Sequence, residues 1–290
     1  MRDYVIVTDS CCDFDQSLID ALDLTVIPLS VQLGQDRFRN TPQEAPSSHA
    51  FYTRLAQGEP AQTSAPNVEE FRQAFLPILQ AGKDILYLGF SSGLSATYHN
   101  AAIAAQELAE EFPQAAAIVP VDTLCASMGQ GLLVDLAVQE KRKGKSLEEV
   151  RAFVRETIPH LCHWFTVGDL SQLRRGGRLS AGKAIVGNLL NIKPVLHVDD
   201  EGHLVPMESA KGRKKSVEAL LRHMEETAIS PETQRIYISH GDCLADAQAL
   251  AAKIQEKLHV VSVTIGDVGP VIGAHSGVGT LALFFLGTQR

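Results

Sequence analysis

What this 290-residue chain lacks narrows what it can do. No G-x-G-x-x-G follows its first apolar run, and no G-x-x-x-x-G-K-[ST] occurs. Dinucleotide and P-loop nucleotide binding are thereby set aside. The five cysteines form no C-x-x-C and no regular ladder. With no leader-like opening, a reduced, cytoplasmic setting is expected. Apolar runs stay short of the ~20 residues of a membrane span, so no stable membrane insertion is expected. Basic residues are the minority, 26 against 34 acidic ones, giving a net charge of −8. Nucleic acid is therefore not an expected partner, because phosphate binding needs a basic surface.

What is present is ordinary for a folded protein: 45% hydrophobic, 21% charged and a mean hydropathy of +0.01. At this length one hydrophobic core stops growing, so two domains are expected, 1–159 and 160–290. Residues 1–158 carry 12 basic against 21 acidic side chains, and residues 159–290 carry 14 against 13. The second half is thus the less acidic face for any charged partner.

In the first half, apolar runs at 4–8, 85–90 and 117–121 alternate with helical patterns at 96–112, 128–143 and 146–160. This β-α alternation predicts a three-layer α/β/α domain around a parallel sheet. Residues 25–33 read as one strand with Pro28 inside it, and 35–46 as a loop. Asn67 with Glu70 has the spacing of a capping box. In the second half, runs at 164–167, 192–198 and 204–207 flank a hairpin turn, Asp199-Asp200-Glu201-Gly202. Two βα units follow, then a glycine-rich stretch at 266–279 and a closing strand at 281–286. Hairpins mixed with βα units predict a smaller, two-layer α/β domain with a mixed sheet.

Three polar clusters fall at the ends of these elements: Thr63-Ser64, Ser91/Ser92/Ser95 and His275-Ser276. The first two belong to one domain and the third to the other, so a pocket between domains would unite them. Hydroxyls, helix-end amides and one imidazole suit a carboxylate, an ion that accepts several hydrogen bonds. Each cluster also has a plainer reading, as a helix cap, a turn or a histidine bonded to structure. Gly93-Leu94-Ser95-Ala96-Thr97 fits four places of a G-x-S-x-G elbow and fails the fifth; Ser95 also lies too far beyond its strand. His197, Asp199, Asp200 and His203 straddle a turn and read as solvated rather than metal-bound. Arg174-Arg175-Gly176-Gly177-Arg178 and Lys211-Gly212-Arg213-Lys214-Lys215 are basic turns suited to docking. Cys11-Cys12 reads as packing, since adjacent cysteines seldom bridge without strain.

Six motifs in order carry a family resemblance: Val7-Thr8-Asp9-Ser10, Thr63-Ser64-Ala65-Pro66, Ser91-Ser92-Gly93-Leu94-Ser95-Ala96-Thr97-Tyr98, Leu173-Arg174-Arg175-Gly176-Gly177-Arg178, Asn191-Ile192-Lys193-Pro194 and 269–279. Nearly end to end, the chain resembles the DegV family of bacterial fatty-acid-binding proteins. The resemblance implies the same two-domain α/β fold, with a long-chain fatty acid such as palmitate in an apolar interdomain tunnel. It implies that Thr63, Ser95 and His275 bind the carboxylate, with Ser64, Ser92 and Arg178 secondary. It implies a carrier without catalysis or cofactor, presenting the carboxyl group to a fatty-acid kinase that makes acyl phosphate for phospholipid synthesis; the basic turn at 211–215 would be the contact. Alternatives are a serine hydrolase or thioesterase using Ser95 and His275, and a lipid-sensing regulatory module. Cys11-Cys12, Ala65, Ala96 and Val278 depart from the family's usual residues without removing a proposed donor.

Overall fold

The computed structural model describes residues 2–113, 115–168, 170–179 and 191–290. In chain order the first half runs β1 (Tyr4–Asp9), α1 (Gln16–Leu22), β2 (Thr25–Ile27), β3 (Ser30–Leu33), β4 (Asp36–Arg39), α2 (Ser48–Ala56), β5 (Ala61–Ser64) and α3 (Val68–Gln80). It continues through β6 (Asp84–Gly89), α4 (Thr97–Glu111), β7 (Ile118–Asp122), α5 (Met128–Arg142) and α6 (Leu147–Thr157). The second half runs β8 (Leu161–Thr166), α7 (Ser171–Arg175), β9 (Ile192–Val198), β10 (Leu204–Lys211), α8 (Arg213–Thr227), β11 (Arg235–His240), α9 (Leu244–Leu258), β12 (Ser262–Asp267), α10 (Pro270–Ser276) and β13 (Leu281–Leu286).

The expected parallel sheet is β2-β1-β6-β7. Its central strand is apolar on both faces because both are covered. Ile85 and Tyr87 pack against Phe71, Phe75 and Leu79, the i, i+4, i+8 stripe of α3, while Leu86 and Leu88 face the opposite way. The capping box at the start of α3 is present: Glu70 N–H donates to Asn67 Oδ1 at 2.9 Å and Asn67 N–H to Glu70 Oε2 at 2.8 Å.

The expected mixed sheet is β10-β9-β8-β13-β11-β12, with only β11 and β12 parallel. Trp164, Leu281, Leu283, Ile236 and Ile238 pack beneath α8 and α9; Phe165, Ala282, Phe284 and Tyr237 face the parallel sheet. Helix α5 lies between the two sheets and is buried almost all round, the position that permits a helix without a polar face. One hydrophobic cluster therefore runs from Leu88 of the parallel sheet to Phe284 of the mixed one.

Three local expectations are corrected. The predicted strand at 25–33 is two strands in two sheets. Pro28 has no N–H for the ladder, so β2 ends at Ile27 and the chain pairs afresh at Ser30. The predicted loop at 35–46 contains β4, which with β3 and β5 forms an antiparallel sheet; Val31 stands opposite Thr63. Thr63-Ser64 is thus the end of a strand rather than a turn. The glycine-rich tail folds one short helix, α10, whose first residue is Pro270, where a missing N–H costs nothing.

Candidate functional site

The positioning begins with Asp9. Its buried carboxylate accepts hydrogen bonds from Tyr87 Oη at 2.8 Å, Phe90 N–H at 2.8 Å and Cys11 N–H at 3.0 Å. Burial raises its pKa, and these three donors pull the other way. The carboxylate pins the end of β6 against the end of β1 and so sets the serine-rich turn that follows. The three serines of that turn then diverge. Ser91 Oγ donates to Gly202 O of the β9–β10 hairpin at 2.9 Å, fastening the two halves together. Gly202 has φ +79°, and a Cβ there would overlap Ser91 Oγ. Ser92 spends its backbone, its N–H donating to Asp122 Oδ1 at 3.2 Å, and its side chain does not line the cavity. Ser95 alone of the three lines it, its Oγ hydrogen-bonded to Thr97 Oγ1 at 2.8 Å.

Opposite this turn, strand alternation in β5 turns Thr63 inward and leaves Ser64 exposed, so Ser64 is not part of the lining. Thr63 Oγ1 lies 2.8 Å from His275 Nε2, a hydrogen bond joining β5 to α10. Arg178 joins the same wall: its Nε donates to Leu94 O at 3.2 Å and its Nη1 to Gly176 O at 2.6 Å. Burial, and then the Arg178 charge, lower the His275 pKa to about 4, so the imidazole is neutral at pH 7. Gly176 belongs to the Arg-Arg-Gly-Gly-Arg motif for a steric reason, because a Cβ there would overlap His275 Nδ1.

Thr63, Ser95, His275 and Arg178 all line one cavity of about 300 Å³ between the sheets. The rest of its wall is mostly apolar, with Phe90, Leu94, Phe165, Val271, Ala282 and Phe284 prominent. Ser276 Oγ is buried there without a hydrogen-bond partner among the described residues. Three further hydroxyl residues line it: Thr280, whose Oγ1 donates to Gly277 O at 2.8 Å, and Ser127 and Ser239, 2.9 Å apart, with Ser127 Oγ donating to Asp13 Oδ2 at 2.6 Å. Sequence reasoning missed all three. Ser127 looks like one more helix cap and Ser239 like a polar break at the end of an apolar strand. The positive φ at Ser127, +53°, has no sequence signal because serine rarely adopts it.

An apolar cavity with neutral hydrogen-bonding groups in its wall fits an amphiphile with an anionic head. The hydrolase geometry is not formed, since Ser95 pairs with Thr97 and His275 with Thr63. Among the described residues no carboxylate contacts His275. His197 stacks on Trp164, ring centroids 5.2 Å apart, while His203 sits 3.7 Å from Asp199 Oδ1; among the described residues no metal-holding group of three forms. The second basic stretch is not a free turn: Lys211 ends β10 and Arg213, Lys214 and Lys215 open α8, with Arg213 Nε donating to Asp246 Oδ2 at 2.8 Å. Cys11 and Cys12 are buried, and burial pushes both thiols up, so they serve as packing. Among the described residues no helix is long and apolar enough to cross a membrane.

Known proteins resemble the chain from end to end. A DegV domain-containing protein of Clostridium perfringens is 43% identical over 290 residues, all of this chain and 99% of the relative. A solved DegV family protein from Thermus thermophilus, whose structure is titled for fatty-acid binding, is 32% identical with a TM-score of 0.88 over 99% of this chain and 100% of its own. DegV of Bacillus subtilis, titled a fatty-acid-binding protein, is 26% identical with a TM-score of 0.87 over 99% and 100% of the two chains. The family model described as "Uncharacterised protein, DegV family" matches residues 3–288. This chain belongs to the DegV family.

Proposed function

We propose that this protein binds a long-chain fatty acid, with its tail along the Phe90, Phe165 and Phe284 wall and its carboxylate at Thr63, Ser95 and His275. The observation that carries the reading is that three donors from β5, the α4 approach and α10 open onto one apolar cavity. The two DegV structures compared above, both titled for fatty-acid binding, support it. Burial of about fourteen methylenes at ~0.8 kcal/mol each gives on the order of 11 kcal/mol, before the cost of ordering chain and protein. The head-group donors then need add little affinity; their work is to fix which end of the lipid stands where.

A carboxylate held by hydroxyls and a neutral imidazole keeps its nucleophilicity, whereas a bidentate arginine pair would quench it. Arg178 is instead committed to two backbone carbonyls. This favours a carrier in the cytoplasm that presents the carboxyl group for phosphorylation by a fatty-acid kinase and performs no catalysis itself. Native mass spectrometry of protein purified from cells tests the reading. A co-purifying fatty acid with no turnover of acyl esters supports the carrier; an acylated Ser95 or steady ester cleavage would overturn it in favour of a hydrolase.

A further inference from the structure

A second and larger cavity, about 700 Å³, lies outside the first, where β1 and β2 of one sheet and the parallel pair β11 and β12 of the other end. The carboxyl ends of parallel strands are where α/β folds collect ligands. Its polar lining is one-sided in charge. Asp13, Asp15 and Asp267 contribute carboxylates and His240 an imidazole, while its described lining holds no lysine or arginine. Three lining groups are buried without a hydrogen-bond partner among the described residues: Asp13 Oδ1, His240 Nδ1 and Ser48 Oγ. Asp13 is 9% exposed and His240 7%, so water does not readily serve either. The two groups flank the same loop: His240 Nδ1 lies 3.5 Å from Asp267 Oδ1, and a Cβ on Gly269 would stand 2.6 Å from Asp13 Oδ1. Asp267 is half exposed and marks the way in.

We infer that this cavity binds a small organic cation, a primary ammonium or guanidinium compound, through Asp13, Asp267 and the His240 imidazole. An ammonium offers three donors and no acceptor, which matches two carboxylates and an imidazole nitrogen acting as acceptor. A bare metal ion fits less well, because among the described residues no three ligating side chains gather closely enough. Burial raises the Asp13 pKa to about 8 despite the Ser127 hydroxyl and the nearby Gly269 amide, so at pH 7 this carboxyl is largely protonated and a bound cation would have to displace its proton. Asp13 also couples the two cavities. Its other oxygen accepts from Ser127 Oγ, which touches Ser239 Oγ, and both hydroxyls line the first cavity. A cation on Asp13 is therefore expected to alter lipid affinity, a consequence that rests on the fatty-acid reading, whereas binding of the cation does not.

The test uses lipid-free protein and amide-resolved NMR titrations with putrescine, agmatine, the uncharged butane-1,4-diol and calcium. Saturable shifts centred on Gly266 and Gly269 with the amines at sub-millimolar to millimolar concentration, and none with the diol, are expected. Asp13→Asn and, should that variant fold poorly, the more exposed Asp267→Asn should weaken amine binding about tenfold or more. No saturable shift with either amine, equal binding of the diol, preference for calcium, or amine affinity unchanged in the variants would overturn the inference. Because the titration is done without lipid, its failure leaves the fatty-acid reading untouched, and the failure of that reading leaves the titration interpretable.

Discussion

Thr63→Val removes one hydroxyl and keeps the β-branched shape, so its effect isolates a single hydrogen bond. That hydroxyl faces His275 Nε2 at 2.8 Å. With a fatty acid bound, it is expected to donate to the carboxylate. A hydrogen bond to a charged group is worth about 1.5–3 kcal/mol, so palmitate affinity should fall about 10- to 100-fold. The tail's contribution, on the order of 11 kcal/mol before ordering costs, is untouched. Hexadecanol, which has the same tail and no charge, should lose less, about two- to twelvefold, the worth of a neutral hydrogen bond of about 0.5–1.5 kcal/mol. Displacement of a fluorescent fatty-acid analogue from wild type and variant, with both competitors, makes the comparison. Equal losses for palmitate and hexadecanol, or no loss for either, would refute the placement of the carboxylate at Thr63.

Other expectations follow from the same geometry. Gly176→Ala should displace the His275 ring and weaken palmitate binding more than it lowers the melting temperature, because the new methyl overlaps Nδ1 itself; paired binding and melting curves check this. Gly202→Ala combines φ +79° with an overlap on Ser91 Oγ and should cost roughly 1–3 kcal/mol of stability, read from denaturant midpoints at constant m-value. For pH, the folded His275 protonates at about 4 and the unfolded one near 6.5, so on acidification the unfolded state takes up the proton first. Stability owed to the neutral ring is complete above pH 6.5 and is lost as pH falls towards 4. By pH 5 the wild type should have lost roughly 1–2 kcal/mol more than His275→Gln, a figure already discounted for the ring's partial exposure. Melts of both ligand-free proteins at pH 7 and pH 5 show it, and parallel declines would contradict it.

Much of the architecture was legible because periodicity and burial agree. Tyr4–Asp9 and Asp84–Gly89 are apolar runs covered on both faces, and both lie in the parallel sheet as read. The motif order placed Thr63, Ser95 and His275 in separate elements, and the fold brings them onto one cavity. What failed was local pairing. Nothing in 25–33 says that its two ends belong to different sheets, because Pro28 marks an interruption but not where the chain goes next. Ser64 and Ser92 were grouped with their neighbours by adjacency in sequence; strand alternation and the run of the turn separate them. The Ser127, Ser239 and Asp13 cluster joins residues more than a hundred positions apart in a backbone shape with no local signature.

A crystal structure of the protein with palmitate bears most directly on the central claim. The account predicts the carboxylate within hydrogen-bonding distance of Thr63 Oγ1, Ser95 Oγ and His275 Nε2, with the tail against Phe165 and Phe284. A lipid bound head-inward towards Ser127 and Ser239, or lodged in the larger cavity beside Asp13, would contradict it.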